Sequence, residues 1–459
     1  MTTEQQLPEG WEYAPFNMFF NVVSISDKKI SQKEYLDNGK YPVIDQGNLF
    51  IGGYSNDESL ILKISSPVIV FGDHTKCFKY VSFPFVAGAD GIKVLEPKNG
   101  IYPKYAYYYC LSIDLTDRGY SRHFAFLKKC QFLIVPLETQ QAIVNKIESL
   151  FAEIDAGIDS LKTAAQQIQQ YRQSLLKNAF NGELTKEWRS KHADTLPSEN
   201  ELLAQIQTTR EQHHAQQLAD WQTAVTQWEQ NGKEGKKPSK PKAPTQAVEF
   251  EENFADLPKG WGVVKFENIC DLVRNGISTK PEGESGTKIF RISAVRAFQL
   301  NLDDYRFINS DDVGDFVLNN GDLLFTRYNG TRNFVGVCAE FKSNEIYVYP
   351  DKLIRAVVNS TEINNTFLMY GFNTSISREF IESRIRTTAG QSGISGSDIK
   401  AIPVIICSLA EQTQIVAILE SKLTACDQLA AELAKQLKQA ELLKQAVLKA
   451  AFSGNLLDK

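Results

Sequence analysis

The chain has 459 residues, of which 42% are hydrophobic and 23% charged, so it has the composition of an ordinary globular protein with two or more domains. Its longest apolar stretches, such as residues 66–72, are far too short to cross a bilayer, and its first residues lack the charged and apolar parts of a secretory signal, so we expect a cytoplasmic protein. The seven cysteines include no CxxC pair, which argues against a disulfide framework or a zinc site, and the formal net charge of −5 argues against a protein that coats nucleic acid by charge alone.

The first predicted module spans residues 1–136 and has the pattern of mixed α/β structure with short strands. A buried strand at Pro67–Gly72 leads into the polar loop Asp73–Lys76, and further strand and glycine-turn signals follow at Phe83–Leu95. Its polar clusters suit plain turns as well as DNA-reading loops, and a hydrogen bond within the loop explains the adjacent Asp73 and His74 better than an acid–base pair does. The candidate DNA contacts in this module are Gln46, Asp73, His74, Thr75, Lys76, Tyr120, Arg122 and His123.

A long amphipathic helix is predicted within residues 137–184. Apolar residues, Tyr171 among them, recur at steps of three and four from Ile143 to Ala179, which is the spacing of a coiled-coil seam. Good helix formers fill the positions between them, and Gly182 supplies the residue that favours a helix C-terminus. With roughly 40 residues the helix is about 60 Å long, and it needs a partner to bury its seam.

Residues 185–256 form a central region of different composition. Glu199–Gln230 is Gln-rich and predicted to be helical, with Trp221 and Trp228 on one face, which suits either a partner protein or an intramolecular contact. The run GKEGKKPSKPKAP, Gly232–Pro244, contains no core-forming residue. A solvated tether is the favoured interpretation of this run, and a nucleic-acid-binding segment is the alternative.

The second module spans residues 257–408 and is also predicted to be mixed α/β, with a strand that leads into a polar loop at Gly321–Gly330. It is rich in arginine, with ten between Arg274 and Arg386. Arg favours guanine and Asn or Gln favours adenine when a side chain reads a base edge, so the polar loops of this module are candidate DNA contacts. The candidates are Arg274, Asn275, Arg291, Arg296, Arg327, Tyr328, Asn329, Arg332, Gln391 and Ser392.

A second long helix is predicted within residues 409–459, and it repeats the first one. Leu409–Leu456 matches Leu137–Leu184 without a gap, and the run LPEGW at Leu7–Trp11 recurs as LPKGW at Leu257–Trp261. The segments between these landmarks share no obvious motif, so the chain keeps a frame and changes whole modules within it. Two equally long seams in one chain favour an intramolecular coiled-coil pair over two separate helical bundles.

Several motifs of catalysis are absent from the sequence. It contains neither the GxxxxGK[ST] loop that cradles phosphates nor the (N/D)PP(Y/F) tetrapeptide of adenine methyltransferases. Gly283–Lys288 has the composition of a phosphate loop, but its residues stand in the wrong order. No set of residues in the sequence forms a catalytic constellation. We therefore expect a protein that is not an enzyme and binds no metal.

The frame and the modules together resemble the DNA-specificity subunits of Type I restriction–modification systems over nearly the whole chain. The helix ends AFNGEL (Ala179–Leu184) and AFSGNL (Ala451–Leu456) and the central FNGELTKEWR (Phe180–Arg189) resemble shared segments of that family. The runs YPVIDQGN, VIVFGDHTK and FVAGADGIKVL resemble one class of target-recognition domain. The runs GDLLFTRYNGT, FVGVC and YPDKLIRA resemble another class, in the enterobacterial K-type group.

The resemblance implies that each module is a target-recognition domain that reads one half of a split, asymmetric site in double-stranded DNA. It also implies that the two long helices form an antiparallel coiled coil with pseudo-two-fold symmetry, which sets the spacer between the half-sites. The implied partners are two modification subunits, which methylate adenine N6 from S-adenosylmethionine, and restriction subunits, which use ATP and Mg, while this chain holds no cofactor. From the residues alone, a coiled-coil scaffold that binds no DNA is the alternative.

Overall fold

The computed structural model describes residues 10–88, 91–115, 122–243, 247–250, 256–309, 313–358, 361–388 and 390–457. The chain divides into two compact units. Unit 1 comprises Met1–Gln166 with Ala430–Lys459, and unit 2 comprises Gln167–Leu429. Each unit contains one module and one part of each of the two long helices.

The first module consists of short strands and helices. Its strands are β1 (Glu12–Pro15), β2 (Phe20–Val23), β3 (Lys29–Ile30), β4 (Tyr41–Ile44), β5 (Gly53–Ser55), β6 (Ile61–Leu62), β7 (Val68–Gly72), β8 (Phe78–Val81), β9 (Phe85–Gly88), β10 (Ile92–Pro97) and β11 (Gln131–Ile134). Its helices are α1 (Phe16–Phe19), α2 (Pro103–Ser112) and α3 (Phe124–Leu127). Every residue of β7 is buried, because the core covers both faces of this strand.

The long helix α4 (Leu137–Phe180) follows, and then the central helices α5 (Lys186–Lys191) and α6 (Glu199–Gln230). Ser198 and Glu201 form a capping box at the start of α6, which fixes where this helix begins. The first turns of α6 are anchored by Leu202 and Ile206, which are buried in the core of unit 2.

The second module and the second long helix complete unit 2 and return to unit 1. The strands are β12 (Gly262–Lys265), β13 (Cys270–Asn275), β14 (Thr287–Phe290), β15 (Val295–Arg296), β16 (Gln299–Leu300), β17 (Tyr305–Ile308), β18 (Leu323–Thr326), β19 (Tyr328–Asn329), β20 (Cys338–Glu340), β21 (Tyr347–Val348), β22 (Leu353–Val358), β23 (Arg386–Thr388), β24 (Gln391–Gly393) and β25 (Pro403–Ile406). The helices are α7 (Asn365–Phe372), α8 (Ser375–Arg384), α9 (Gly396–Lys400) and α10 (Leu409–Ala451).

The two modules share a sheet topology, although their sequences share no obvious motif. One four-stranded sheet has the order β2-β10-β7-β8 and the other has the order β13-β22-β18-β20, and all neighbouring strands in both sheets are antiparallel. At the base of each module a two-stranded ribbon also repeats, β1 with β11 and β12 with β25. We expected the two modules to differ as wholes, and this expectation is wrong for the topology of their sheets. The modules are two versions of one mixed α/β fold, and they differ in their loops and in the strands added to the sheet.

The long helices α4 and α10 pair in antiparallel directions. Asp155 forms an ion pair with Lys444 in unit 1, and Arg172 forms one with Asp427 in unit 2, so residues later in α4 lie beside residues earlier in α10. The half-buried residues of α4 between these pairs are Ile158, Leu161, Ala164, Ala165 and Ile168, and all except Ala164 follow the predicted steps of three and four. The predicted coiled coil is confirmed.

One position of the predicted seam lies elsewhere in both helices: Tyr171 of α4 and its repeat equivalent in α10, Leu443, are exposed. Tyr171 is 46% exposed, because its neighbour Arg172 takes the inward position and uses its guanidinium for the ion pair with Asp427. A two-helix pair has only a narrow contact line, so a shift of one residue moves a side chain from the seam to solvent.

A buried glutamine joins α4 to the first module. The side chain of Gln140, in the first turn of α4, accepts a hydrogen bond from the backbone N–H of Tyr102 (2.7 Å) and donates to the carbonyl oxygens of Gly100 (2.9 Å) and Val135 (2.8 Å). The Gln140 side chain is fully buried, so no water competes for these bonds. The loop before α2 and the end of the base ribbon are thereby fixed to the helix.

Gln412 makes the equivalent joint in unit 2. It lies 272 positions after Gln140, accepts from the backbone N–H of Asn364 (2.9 Å), and donates to the carbonyl oxygens of Glu362 (3.0 Å) and Cys407 (2.7 Å). The repeat therefore preserves the joint as well as the two helices and the base ribbons.

Within the described residues, every helix is either too short or too polar to cross a membrane. All seven cysteines are free thiols, and those of Cys110, Cys338, Cys407 and Cys426 are buried. The pKa of the Cys110 thiol is raised by its burial, as expected of a thiol that packs rather than reacts.

Truncating either joint is predicted to destabilise the protein. Gln140→Ala or Gln412→Ala removes three hydrogen bonds and leaves buried backbone groups unpaired, so each should lower the free energy of unfolding by about 2–4 kcal/mol. Gln141→Ala is the matched control, since Gln141 is exposed, and its effect should stay within about 0.5 kcal/mol. Denaturant unfolding of the full chain measures both, and equal effects at Gln140 and Gln141 would contradict the assignment.

Candidate nucleic-acid interface

The second module contains an open groove of about 680 Å³, and five of its predicted DNA contacts line this groove. The groove lies between the segment after β13, the segment from the end of β14 to β15, the strands β17, β19 and β24, and the turn before β22. The five predicted residues that line it are Arg291, Arg296, Tyr328, Asn329 and Gln391.

Local packing positions the two arginines of the groove. The guanidinium of Arg296 lies 4.7 Å from the centre of the Phe334 ring and donates to the carbonyl oxygen of Val295 at 2.9 Å. Arg291 is exposed, and its Nε lies 3.7 Å from a carboxylate oxygen of Asp304. Both guanidinium groups keep N–H donors available, as a bidentate contact with guanine or phosphate requires.

Tyr328 and Asn329 are held by a small sheet that has no counterpart among the described residues of the first module. They form β19, which pairs with β24, so that Tyr328 lies opposite Gly393. A Cβ atom at Gly393 would lie 2.3 Å from the Tyr328 ring, so only glycine allows the ring to rest on this strand. Gln391 begins β24 and is exposed beside them.

Three further cations line the groove, and the sequence analysis missed all of them. Lys280 follows a polar loop, Arg306 is the exposed residue of strand β17, and Lys352 lies in the turn before β22. The sequence signal for Arg306 was that it is the one charged residue in the strand-like run Tyr305–Ile308. A charged residue in such a run is expected on the exposed face of the strand, where Arg306 lies. Asp351 is the carboxylate among the lining residues, so cations predominate in the groove.

A buried ion pair supports the strands beneath the groove. Arg355 of β22 lies 2.7 Å from a carboxylate oxygen of Asp322, and both side chains are less than one-tenth exposed. Burial raises the pKa of Asp322, against the opposing effects of the Asn319 backbone N–H and of Arg355. Burial also raises the pKa of Tyr349 to about 12, so this phenol stays neutral beside the pair.

The other predicted contacts of this module lie outside the groove. Arg274 forms an ion pair with Asp315 (3.1 Å) and lies on the ring of Phe316, and Arg332 donates to the carbonyl oxygen of Glu382 (2.8 Å). Asn275 is exposed at the end of β13.

Two predicted contacts of the second module have structural roles instead. Arg327 donates to the carbonyl oxygen of Asp351 (3.2 Å) and stacks on Tyr328, which positions a residue of the groove. Ser392 is 7% exposed, and its hydroxyl lies 3.1 Å from that of Thr387. The prediction that Ser392 contacts DNA is corrected, because its hydroxyl faces the neighbouring strand.

In the first module, three predicted contacts come together after the buried strand β7. The hydroxyl of Thr75 donates to the carbonyl oxygen of Gln46 (2.7 Å), and the backbone N–H of His74 donates to the Gln46 side chain (3.4 Å). Thr75 is exposed and Lys76 is half-buried, with a positive φ of 60° that closes the turn. This loop occupies the same place in the topology as the loop after β18, which carries Tyr328.

Asp73 and His123 stabilise this loop from inside and do not face solvent. A carboxylate oxygen of Asp73 accepts the backbone N–H of Phe124 at 2.7 Å, and the backbone N–H of His123 donates to the carbonyl oxygen of Asp73 at 2.9 Å. They are 5% and 1% exposed, so their assignment as DNA contacts is corrected. Arg122 is exposed next to them, and Tyr120 lies outside the described residues.

Comparison with known proteins identifies consistent relatives. The family model for the Type I restriction modification DNA specificity domain matches residues 8–162 and 258–439. The Type I restriction enzyme EcoKI specificity subunit of Escherichia coli (strain K12) is 26% identical, and the alignment covers 98% of this chain and 90% of the relative. The StySPI specificity subunit of Salmonella potsdam is 23% identical, with the same coverage of both chains.

A solved structure has a similar fold. It comes from a study of the complex assembly and conformational transition of the type I R-M system, and its TM-score with this chain is 0.60. The similarity covers 98% of this chain and 99% of the other at 14% sequence identity, so it concerns the fold alone.

Breaking the ion pair beneath the groove is predicted to unfold the second module. Arg355→Ala leaves the Asp322 carboxylate buried without its partner and should lower the free energy of unfolding by about 3–5 kcal/mol. Arg306→Ala removes an exposed arginine of the same groove and should change it by less than about 0.5 kcal/mol. Thermal or denaturant unfolding of both variants tests this, and a stable Arg355→Ala protein would contradict it.

Proposed function

Because most of its length matches the Type I restriction modification DNA specificity domain, the chain belongs to that family of specificity subunits, and we propose that each of its modules reads one half of a split DNA target. The observation that carries the proposal is the pair of modules with one sheet topology and different loop surfaces. The shared topology gives each module a loop surface at the same place in its fold. The unlike side chains on the two surfaces then select different bases.

The dimensions of the helices support a split target. At 1.5 Å per residue, α4 with 44 residues and α10 with 43 are each about 65 Å long. Two modules that read the same side of a duplex must contact it about 34 Å apart, or a multiple of this distance. A coiled coil of this length is long enough to set such a spacing and to leave its ends to other subunits.

In the second module, the groove residues suit two kinds of DNA contact. The amides of Asn329 and Gln391 have the donor and acceptor pattern that pairs with adenine, and Arg291 and Arg296 have the one that pairs with guanine. Three further cations of the groove are exposed and suited to backbone phosphates, which contribute affinity rather than specificity. These three are Lys280, Arg306 and Lys352.

In the first module, the loop residues His74, Thr75 and Lys76 with Gln46 supply the corresponding surface, and Arg122 adds a nearby charge. The equivalent place of this loop and of the loop after β18 in the shared topology supports this assignment. A scaffold that binds no DNA would have no use for a groove whose charged residues are five cations and one carboxylate, so DNA recognition is favoured over that alternative.

Catalysis belongs, in this proposal, to partner subunits. The EcoKI and StySPI relatives are specificity subunits of Type I restriction enzymes. We assign adenine N6 methylation, with S-adenosylmethionine, to two modification subunits, and translocation with ATP and Mg to restriction subunits. The specificity chain would direct both activities to one sequence and hold no cofactor.

Methylation mapping tests the function directly. Cells that express this chain with its modification subunits should carry methyl-adenine in one split, asymmetric motif, because two different modules read its two halves. Sequencing that detects N6-methyladenine measures this across the genome. Cells with the modification subunits alone are the control, and a contiguous motif, or none, would contradict the proposal.

Variants of the groove separate base reading from phosphate binding. Asn329→Ala with Gln391→Ala should relax one half of the motif and leave the other half unchanged, at a cost of about 1–3 kcal/mol per base contact. Arg306→Gln with Lys352→Gln should weaken binding equally for all sequences and reduce the salt slope by about 0.9 for each phosphate that is no longer neutralised. Binding of the assembled complex to target and non-target duplexes measures both.

The control for these groove variants is Asn344→Ala, an exposed asparagine that does not line the groove. It should leave affinity and motif unchanged. A change in both halves of the motif after the Asn329 and Gln391 substitutions would contradict the assignment of this groove to one half-site.

A further inference from the structure

The segment after helix α6 folds back along that helix. We call residues 232–243 the Lys/Pro strap. The indole N–H of Trp228 donates to the carbonyl oxygen of Gly235 (3.3 Å), and that of Trp221 donates to the carbonyl oxygen of Pro238 (3.0 Å). The tryptophans therefore make an intramolecular contact, and the expected solvated tether is instead attached to the helix at two points.

The strap presents charge to solvent and turns its two prolines toward the protein. Pro238 and Pro241 are half-buried, whereas every lysine of the strap is exposed. The strap contains five lysines and one glutamate, a net charge of +4 in a chain whose net charge is −5. Its lysines are Lys233, Lys236, Lys237, Lys240 and Lys242.

The five lysines divide into two groups. Lys237 lies 5.8 Å from the centre of the Trp228 ring, and Lys240 lies at the same distance from the Trp221 ring, so these two also cover the indoles. Within the part of the chain that the structure describes, Lys233, Lys236 and Lys242 form no ion pair with a carboxylate. Their charges are therefore available to an external anion.

The positive surface continues beyond the end of the strap. Lys242 lines a cavity of about 260 Å³ together with Arg210 and His214 of α6 and Lys400 of α9. Asp271 is the carboxylate among its lining residues; it lies 2.9 Å from His213 and also interacts with the charge of Arg210, so it is directed to these two groups rather than to the lysines. The cavity thus adds cations to the same side of α6.

We propose that the Lys/Pro strap and the adjoining cavity bind backbone phosphates of duplex DNA independently of sequence. The inference rests on the DNA-binding function proposed above and adds a contact outside both half-site surfaces. Two attachments to α6 hold the ammonium groups in place, so less conformational entropy is lost on binding than with a free lysine tail.

A phosphate backbone fits this surface better than a protein partner does. Protein interfaces are depleted in lysine and enriched in aromatic side chains at their centre. Here the two aromatic residues, Trp221 and Trp228, are already occupied by the strap, and the exposed residues of the strap include five lysines but no large apolar side chain. Such a surface has little to offer a protein beyond charge, whereas each ammonium can neutralise one phosphate and release a counterion.

The test measures the salt dependence of DNA binding by the full chain assembled with its modification subunits. The triple variant Lys233→Gln, Lys236→Gln and Lys242→Gln removes three charges and leaves the two lysines that cover the tryptophans. Binding to long duplexes with and without the target should weaken by the same factor, and the salt slope should become shallower by about 2–3. The methylated motif and the unfolding temperature should not change.

The matched control replaces the same three lysines with arginine, which keeps the charge, and it should bind DNA as the unchanged protein does. An unchanged salt slope in the glutamine variant would overturn the inference, as would equal loss in the arginine variant. Failure of the glutamine variant to assemble with the modification subunits would also overturn it and identify a protein-docking surface. If the half-site proposal itself fails, the unchanged protein will produce no split methylated motif, which is a separate result.

Discussion

A primary amide can donate two hydrogen bonds and accept another without carrying a charge, and one such amide is buried in the first turn of each long helix. Gln140 and Gln412 each bind one backbone N–H and two carbonyl oxygens, from two separate segments of the adjoining module. A glutamate could not donate to these carbonyls, and an apolar residue would leave all three backbone groups unpaired. The start of each long helix is therefore tied to its own module by the same three hydrogen bonds in both units.

The repeat is nevertheless not symmetrical at every joint. In unit 2 the buried carboxylate of Glu411 accepts hydrogen bonds from Thr185 (2.7 Å), Arg189 (2.6 Å) and Trp261 (2.9 Å), which compensates the cost of burying its charge. The equivalent position in the first copy is Thr139, which cannot hold such a cluster. Glu411 thus ties the central region and the start of the second module to α10, so the central region belongs structurally to unit 2.

The sequence predicted those features that depend on spacing. The coiled-coil seam, the buried strand β7 and the polar loop after it all follow from local periodicity. The common topology of the modules was not predictable, because many sets of apolar residues fill the same sheet, as β7 and β18 illustrate with VIVFG and LLFT. The burial of Asp73 also escaped prediction, because its partner Phe124 is 51 residues away and a short polar run looks the same whether it faces solvent or a neighbouring loop.

The distribution of charge explains how such a protein can bind DNA and still find one site. Contacts to phosphates add the same energy on every sequence, so a chain that was basic throughout would be held on the large excess of non-specific DNA. Here the net charge is −5, and cations are concentrated in the groove of the second module and on the Lys/Pro strap. In the proposed function, a local positive surface on an acidic chain would orient the duplex during encounter while the remaining surface repels it, and the choice between sequences would be left to the loops of the two modules.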